Sequence, residues 1–172
     1  MAQSVNHYAA LCLADLCIMR RTQIAGRNFF SPGDTVSRRE YLAMLMQAAG
    51  SDSGIPVISA TGLAEDDDIP LWLKSYVAAV MASGIVSGHG GEDGPQFDAA
   101  SPITVAEAAV IMANVMGLYS GFDSFGDAPA WVVDEVAAMA KAGLIKDCSY
   151  TAALTRDAAV GILFGVSRAM QG

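Results

Sequence analysis

Apolar residues recur at i, i+4 spacing through Trp72, Tyr76, Val80 and Gly84, the period of one helical face. Further along, Trp131, Glu135 and Met139 repeat that spacing with an acid in the middle place. Each run opens alike: Asp68 or Asp127 stands where an N-cap belongs, and Pro70 or Pro129 falls in the first turn, where a missing N–H costs little. Each closes on a glycine, Gly84 or Gly143, the residue that best tolerates the left-handed position after a helix. The pattern predicts a helix in both places. A third is predicted from roughly His7 to Arg21, with neither the Asp-x-Pro start nor the tryptophan.

A second block follows each of these helices: Val36-Ser37-Arg38-Arg39-Glu40, Ile103-Thr104-Val105-Ala106-Glu107, and Leu154-Thr155-Arg156-Asp157-Ala158. Ser37 with Glu40 and Thr104 with Glu107 are capping boxes, in which the hydroxyl accepts from an N3 amide and the glutamate reaches back. Phe30 precedes Ser37 by the same interval that separates Phe97 from Thr104. Ala106 to Met116 is apolar almost all round, so that helix is expected to be buried. The unit therefore occurs three times, at about 5–50, 63–118 and 123–170, within one domain spanning 1–172. Strand signals amount to a short extended piece at Pro56-Val57-Ile58, so the expected class is all-α. The glycine-rich run from Gly88 to Gly94 reads as an inserted loop without a counterpart in the first unit.

Charge narrows the partners. With 10 Lys and Arg against 18 Asp and Glu, a chain of 172 residues at net −8 lacks the broad basic face of a nucleic-acid binder. The cations cluster early: residues 1–50 hold five arginines and three acids, so an anionic partner is expected to favour the N-terminal third. No stretch reads as a membrane span, and Met1-Ala2-Gln3-Ser4 does not read as a secretory signal. Cys12, Cys17 and Cys148 form no CxxC pair, and His7 and His89 are the only histidines, so no metal and no cofactor are expected. The acidic run Glu65 to Asp68 lacks calcium-loop spacing and reads as a solvated loop feeding the Asp68 cap. No nucleophile–base pair at sensible spacing points to an enzyme.

The Asp-x-x-x-Trp starts, the Gly84-Ile85-Val86-Ser87-Gly88 helix end, Phe97 and the Thr104-to-Glu107 block resemble the S-layer homology (SLH) domain of bacterial surface proteins. Three tandem copies are what that family usually carries. The resemblance implies a pseudo-threefold arrangement with a central helix bundle and three prongs separated by grooves. It also implies a role: non-covalent anchoring of a surface protein to the cell wall through a secondary wall polysaccharide, commonly one bearing a pyruvylated amino sugar. Localisation at the cell surface follows from it too, with an S-layer or other surface protein as fused or neighbouring partner. The alternative is a protein-interaction or assembly module on the same fold that has lost sugar binding.

An arginine in the first turn of a helix, beside unpaired backbone N–H groups, suits the carboxylate of a pyruvate ketal. On that logic the candidate ligand-binding residues are Ser37, Arg38 and Arg39 first, Thr155 and Arg156 next, and Thr104 with Val105 in place of the usual arginine. Trp72 and Trp131, which read as core anchors from the pattern alone, join them as covers for the sugar's apolar face, and Gly88 is a further candidate ligand-binding residue. Glu40, Glu107, Asp68 and Asp127 are expected to be structural caps. In the third block, Asp157 and Ala158 replace the usual Ala and Glu, which removes the capping carboxylate.

Overall fold

A computed structural model describes residues 9–10, 12, 22–24, 27–49, 58–63, 66–82, 89–91, 94–122, 124–145 and 149–171; of residues 22–24, 27–29, 72, 79–80, 82, 89–91, 94–96 and 170–171 it describes the backbone alone. The class is all-α. Five helices have their bounds among the described residues: α1 (Arg38–Ala48), α2 (Leu71–Ala82), α3 (Val105–Met116), α4 (Val133–Lys141) and α5 (Arg156–Gln171), with single 3-10 turns at Asp66–Asp68 and Ala130–Val132. Helix α1 packs against α2 and α5, and α3 packs against α4. Of the helix expected from His7 to Arg21, Ala9, Ala10 and Cys12 are described and helical; Ala9 and Ala10 are buried, and Cys12 is half-buried with a free thiol. The expected Gly84 stop lies outside the described residues.

Helix starts follow the two capping boxes. Ser37 accepts from the Glu40 amide while the Glu40 carboxylate takes the Ser37 amide, and Thr104 and Glu107 do the same. Helix α4 ends as its glycine predicts: Gly143 has φ +71, its amide donates to the Ala140 carbonyl, and Leu144 donates to Met139. The apolar helix α3 buries Val105, Ala106, Ala108, Ala109, Ile111, Met112 and Ala113. Tyr41 of α1, fully buried, donates across to the Ala108 carbonyl of this helix at 3.1 Å. Burial alone raises its phenol far above the usual value.

Asp68 and Asp127 are not caps. Asp68 lies within the first 3-10 turn, and the amides of Leu73 and Lys74 at the start of α2 go to the Pro70 carbonyl. Helix α4 has Val132 at its N-cap with no side-chain cap. Asp127 instead accepts from the Ser149 hydroxyl (3.3 Å) and the Tyr150 amide (3.4 Å), tying the approach to α4 to the turn before α5. At the first place the 3-10 turn takes in Asp68 itself and leaves Pro70 directly ahead of α2; at the second a 3-10 turn stands between Pro129 and α4.

Of the extended piece expected at Pro56-Val57-Ile58, Pro56 and Val57 lie outside the described residues and Ile58 is not in a strand. Two antiparallel hairpins of three-residue strands form, β1 (Thr22–Ile24) with β2 (Arg27–Phe29) and β3 (His89–Gly91) with β4 (Gly94–Gln96). The second lies in the glycine-rich run read as an insertion without a counterpart. The structure supplies the counterpart: Thr22 and His89 open matching hairpins, one ending just before Phe30 and the other just before Phe97.

After each phenylalanine the backbone turns sharply. Ser31 and Asp98 both adopt positive φ, +48° and +56°, and their carbonyls accept from Asp34 and Ser101 three residues on. Ser149 and Ala152 make the corresponding turn ahead of α5. The three chain segments then meet. Val36 donates to the Leu154 carbonyl (2.9 Å), Leu154 to Ile103 (2.7 Å), and Ile103 to Val36 (3.0 Å), closing a cycle. All three residues are buried, and each immediately precedes one of Ser37, Thr104 and Thr155.

Candidate functional site

That closed cycle brings the three helix starts of α1, α3 and α5 around one point and determines what their first turns face. The four leading amides of a helix have no partner inside it. Here two in each helix find one in the neighbouring segment. Arg38 and Arg39 donate through their amides to the carbonyls of Ser101 and Ala99, Val105 and Ala106 to Ala152 and Tyr150, and Arg156 and Asp157 to Asp34 and Pro32. The third helical amide goes to the cap hydroxyl: Glu40 to Ser37, Glu107 to Thr104, and Ala158 to Thr155 at 3.3 Å. The expectation of unpaired N–H groups open to a carboxylate is therefore corrected. They hold the units together instead.

Arg38 is equally committed. It is 4% exposed; its Nε donates to the Phe97 carbonyl (2.8 Å) and its Nη1 to Glu107 Oε1 (2.7 Å), while the guanidinium lies 5.2 Å from the Phe97 ring centre. Glu107 uses its second oxygen on Thr104, amide and hydroxyl both. One carboxylate thus caps its own helix and neutralises an arginine from another. Arg156 makes two of the same contacts: Nε on the Phe30 carbonyl at 2.9 Å and guanidinium 5.8 Å from the Phe30 ring. Spacing alone brought out the two phenylalanines; their partnership with the arginine of another unit was not visible in it.

Arg39 differs. It is half-buried, and its side chain makes no hydrogen bond or ion pair among the described residues. Of the arginines singled out from the sequence, it is the one whose guanidinium stays available next to the Ser37 cap.

The backbone bonds make the three junctions comparable. The first helical residue of one unit faces the block of the next, so Arg38 with Glu107 corresponds to Val105 with Ala158, and to Arg156 with Glu40. The two departures that the sequence presents as separate losses, Val105 without arginine and Ala158 without glutamate, are the two halves of one junction. Losing both leaves no buried charge unpaired.

Trp131 is 64% exposed and sits in the second 3-10 turn, which overturns its reading as a core anchor. Gly88 and the Trp72 side chain lie outside the described residues. Within the acidic run, Asp66 is not a solvated loop residue: it pairs with Lys74, which is 8% exposed, and accepts from the Thr61 amide at 2.6 Å. The Lys74 hydrogen bond, with Thr61's two, lowers its carboxyl to about 2. The signal for this pair was a lone lysine in the otherwise uncharged run Leu71 to Ala82.

Among the described residues no three His, Cys, Asp or Glu side chains gather as a metal site needs, and no helix is long and apolar enough to cross a membrane. A scan against protein-family models finds no match, and a search of curated proteins finds none either.

Proposed function

We propose that the chain is a three-unit binding module of the SLH type, its units related by a pseudo-threefold axis through the Val36–Ile103–Leu154 cycle. In this reading it anchors a surface protein to a bacterial wall by holding an anionic, pyruvylated polysaccharide, and performs no chemistry itself. The observation that carries the reading is the cycle: three cap-preceding residues, each donating to the next, is the arrangement that three equivalent units around one axis require. Arg39 is the anion contact. Its permanent charge and forked donors suit a carboxylate, and Ser37 beside it lies on the half of the chain where positive charge gathers.

Retention on purified wall sacculi, compared with sacculi stripped of polysaccharide, tests this. A charge-assisted contact contributes about 1.5–3 kcal/mol, so Arg39→Ala is expected to weaken retention about tenfold or more without lowering the melting temperature. Equal retention of wild type and variant, or retention that survives stripping, overturns it.

A second reading keeps the fold and drops the sugar. The engagement of the leading helix amides and the burial of Arg38 favour it, because both remove donors that an anionic ligand would use. Retention on stripped sacculi is its expected result.

A further inference from the structure

Three large aromatic side chains stand exposed on two adjoining segments: Tyr119 (64%) and Phe122 (50%) on the loop after α3, and Trp131 (64%) ahead of α4. The segments are joined by one carboxylate. Asp134 Oδ1 accepts from the Ser120 amide and hydroxyl, each at 2.8 Å, and from the Gly121 amide. Tyr119 is tied back through its hydroxyl to Asn114 (3.2 Å). The loop carrying Tyr119 and Phe122 is therefore held against the start of α4 with its rings facing water, and exposed aromatic area on adjoining segments marks an interaction surface.

Charge selects the partner. From Leu118 to Ala140 the chain carries Asp123, Asp127, Asp134 and Glu135 and no lysine or arginine. Helix α3, packed against α4, adds no unpaired charge, because its one charged residue, Glu107, is paired with Arg38. An anionic glycan, an anionic bilayer or a second copy of this net-negative chain would meet like charge here. Aromatic faces beside carboxylates favour a cation: guanidinium or ammonium over the rings, with apolar neighbours covering their edges.

We propose that this ledge docks a protein partner through a segment in which arginine or lysine alternates with apolar residues. The proposal does not rest on the glycan reading, since Arg39 takes no part in it.

The full chain is titrated into a fluorescein-labelled peptide of alternating arginine and leucine at physiological salt, followed by anisotropy. Saturable binding is expected. Phe122→Ser with Trp131→Ala, both at exposed positions, is expected to weaken it at least tenfold with an unchanged melting temperature. A peptide with glutamine for each arginine is expected to bind at least tenfold more weakly. Equal binding by the double variant reduces the effect to bulk charge and overturns the proposal, and so does equal binding of the glutamine peptide. A neutral N-acetylglucosamine oligomer that binds in a Trp131-dependent way, where the peptide does not, also overturns it by making the ledge a sugar platform.

Discussion

Arg38 and Glu107 meet at 2.7 Å although they open two different helices, and each is held at its other end by something else: Arg38 by the Phe97 carbonyl and ring, Glu107 by the Thr104 cap. The pair locks the first unit to the second. It does so with a charge that the first helical turn ordinarily disfavours, because a cation there opposes the helix dipole. The neighbouring carboxylate removes that conflict, so the arginine serves the fold rather than a ligand.

Breaking this pair from one side leaves a charge with no partner in a site where both side chains are largely shielded from water. Arg38→Val is expected to cost about 3 kcal/mol or more. Adding Glu107→Ala removes the stranded carboxylate and recreates the Val105–Ala158 chemistry, at the expense of the Thr104 capping box, worth about 1 kcal/mol. The double variant should therefore be more stable than the Arg38→Val single. Urea unfolding of all four proteins in a double-mutant cycle measures this, and strictly additive losses would defeat it.

The amides of Val36, Ile103 and Leu154 each donate to a residue far away in sequence, and none of these bonds opens without parting two units. Hydrogen exchange at the three sites is expected to share one free energy, equal to that of global unfolding. One of the three exchanging much faster than the other two would show a unit that opens on its own.

The sequence exposed what is local. Capping boxes at Ser37 and Thr104, the glycine stop at Gly143 and the burial of Ala106 to Met116 each depend on residues within a few positions of one another. Asp68 and Asp127 misled because an N-cap signature does not register a nearby 3-10 turn: one takes in Asp68 itself, and the other separates Pro129 from α4. The hairpin at Thr22–Phe29 was missed because its strands are three residues long, too short for a period-two pattern. The site suffered most. Whether an arginine in a first turn is free or buried depends on what another unit brings to it, and for Arg38 that was a carbonyl, a ring and a carboxylate from the second unit. Periodicity carries no information about such a contact. Arg39, one residue on, has the same sequence credentials and a different environment.

At Gly143 the cost of a side chain is conformational. The residue has φ +71, and a Cβ added there would meet nothing within 4 Å. Gly143→Ala is expected to destabilise by about 1 kcal/mol, and Gly143→Asn by less, because asparagine tolerates the left-handed region better. Thermal unfolding of both variants checks the order; an alanine variant as stable as wild type would mean that α4 can end in another way.

Asp66 gives the fold an acid-sensitive tie. Its carboxyl is held down to about 2 by Lys74 and Thr61, whereas in the unfolded chain it titrates near the ordinary value of about 4. A group whose folded pKa is depressed contributes stability above its unfolded pKa and loses that contribution as pH falls toward the folded one. The Asp66 contribution is thus complete at neutral pH and fades from about pH 4 to about pH 2. Asp66→Asn should be clearly less stable than wild type at pH 7, since it also leaves Lys74 buried with only the Ser59 carbonyl. That gap should narrow steadily across the acid window. Asp134, lowered by the Ser120 hydroxyl and the Ser120 and Gly121 amides, loses its own contribution in both proteins and cancels in the difference. Urea midpoints of wild type and variant, taken at intervals between pH 7 and pH 2, follow the gap directly. A gap that stays constant with pH would show that the Asp66 charge is not what holds Lys74 in place.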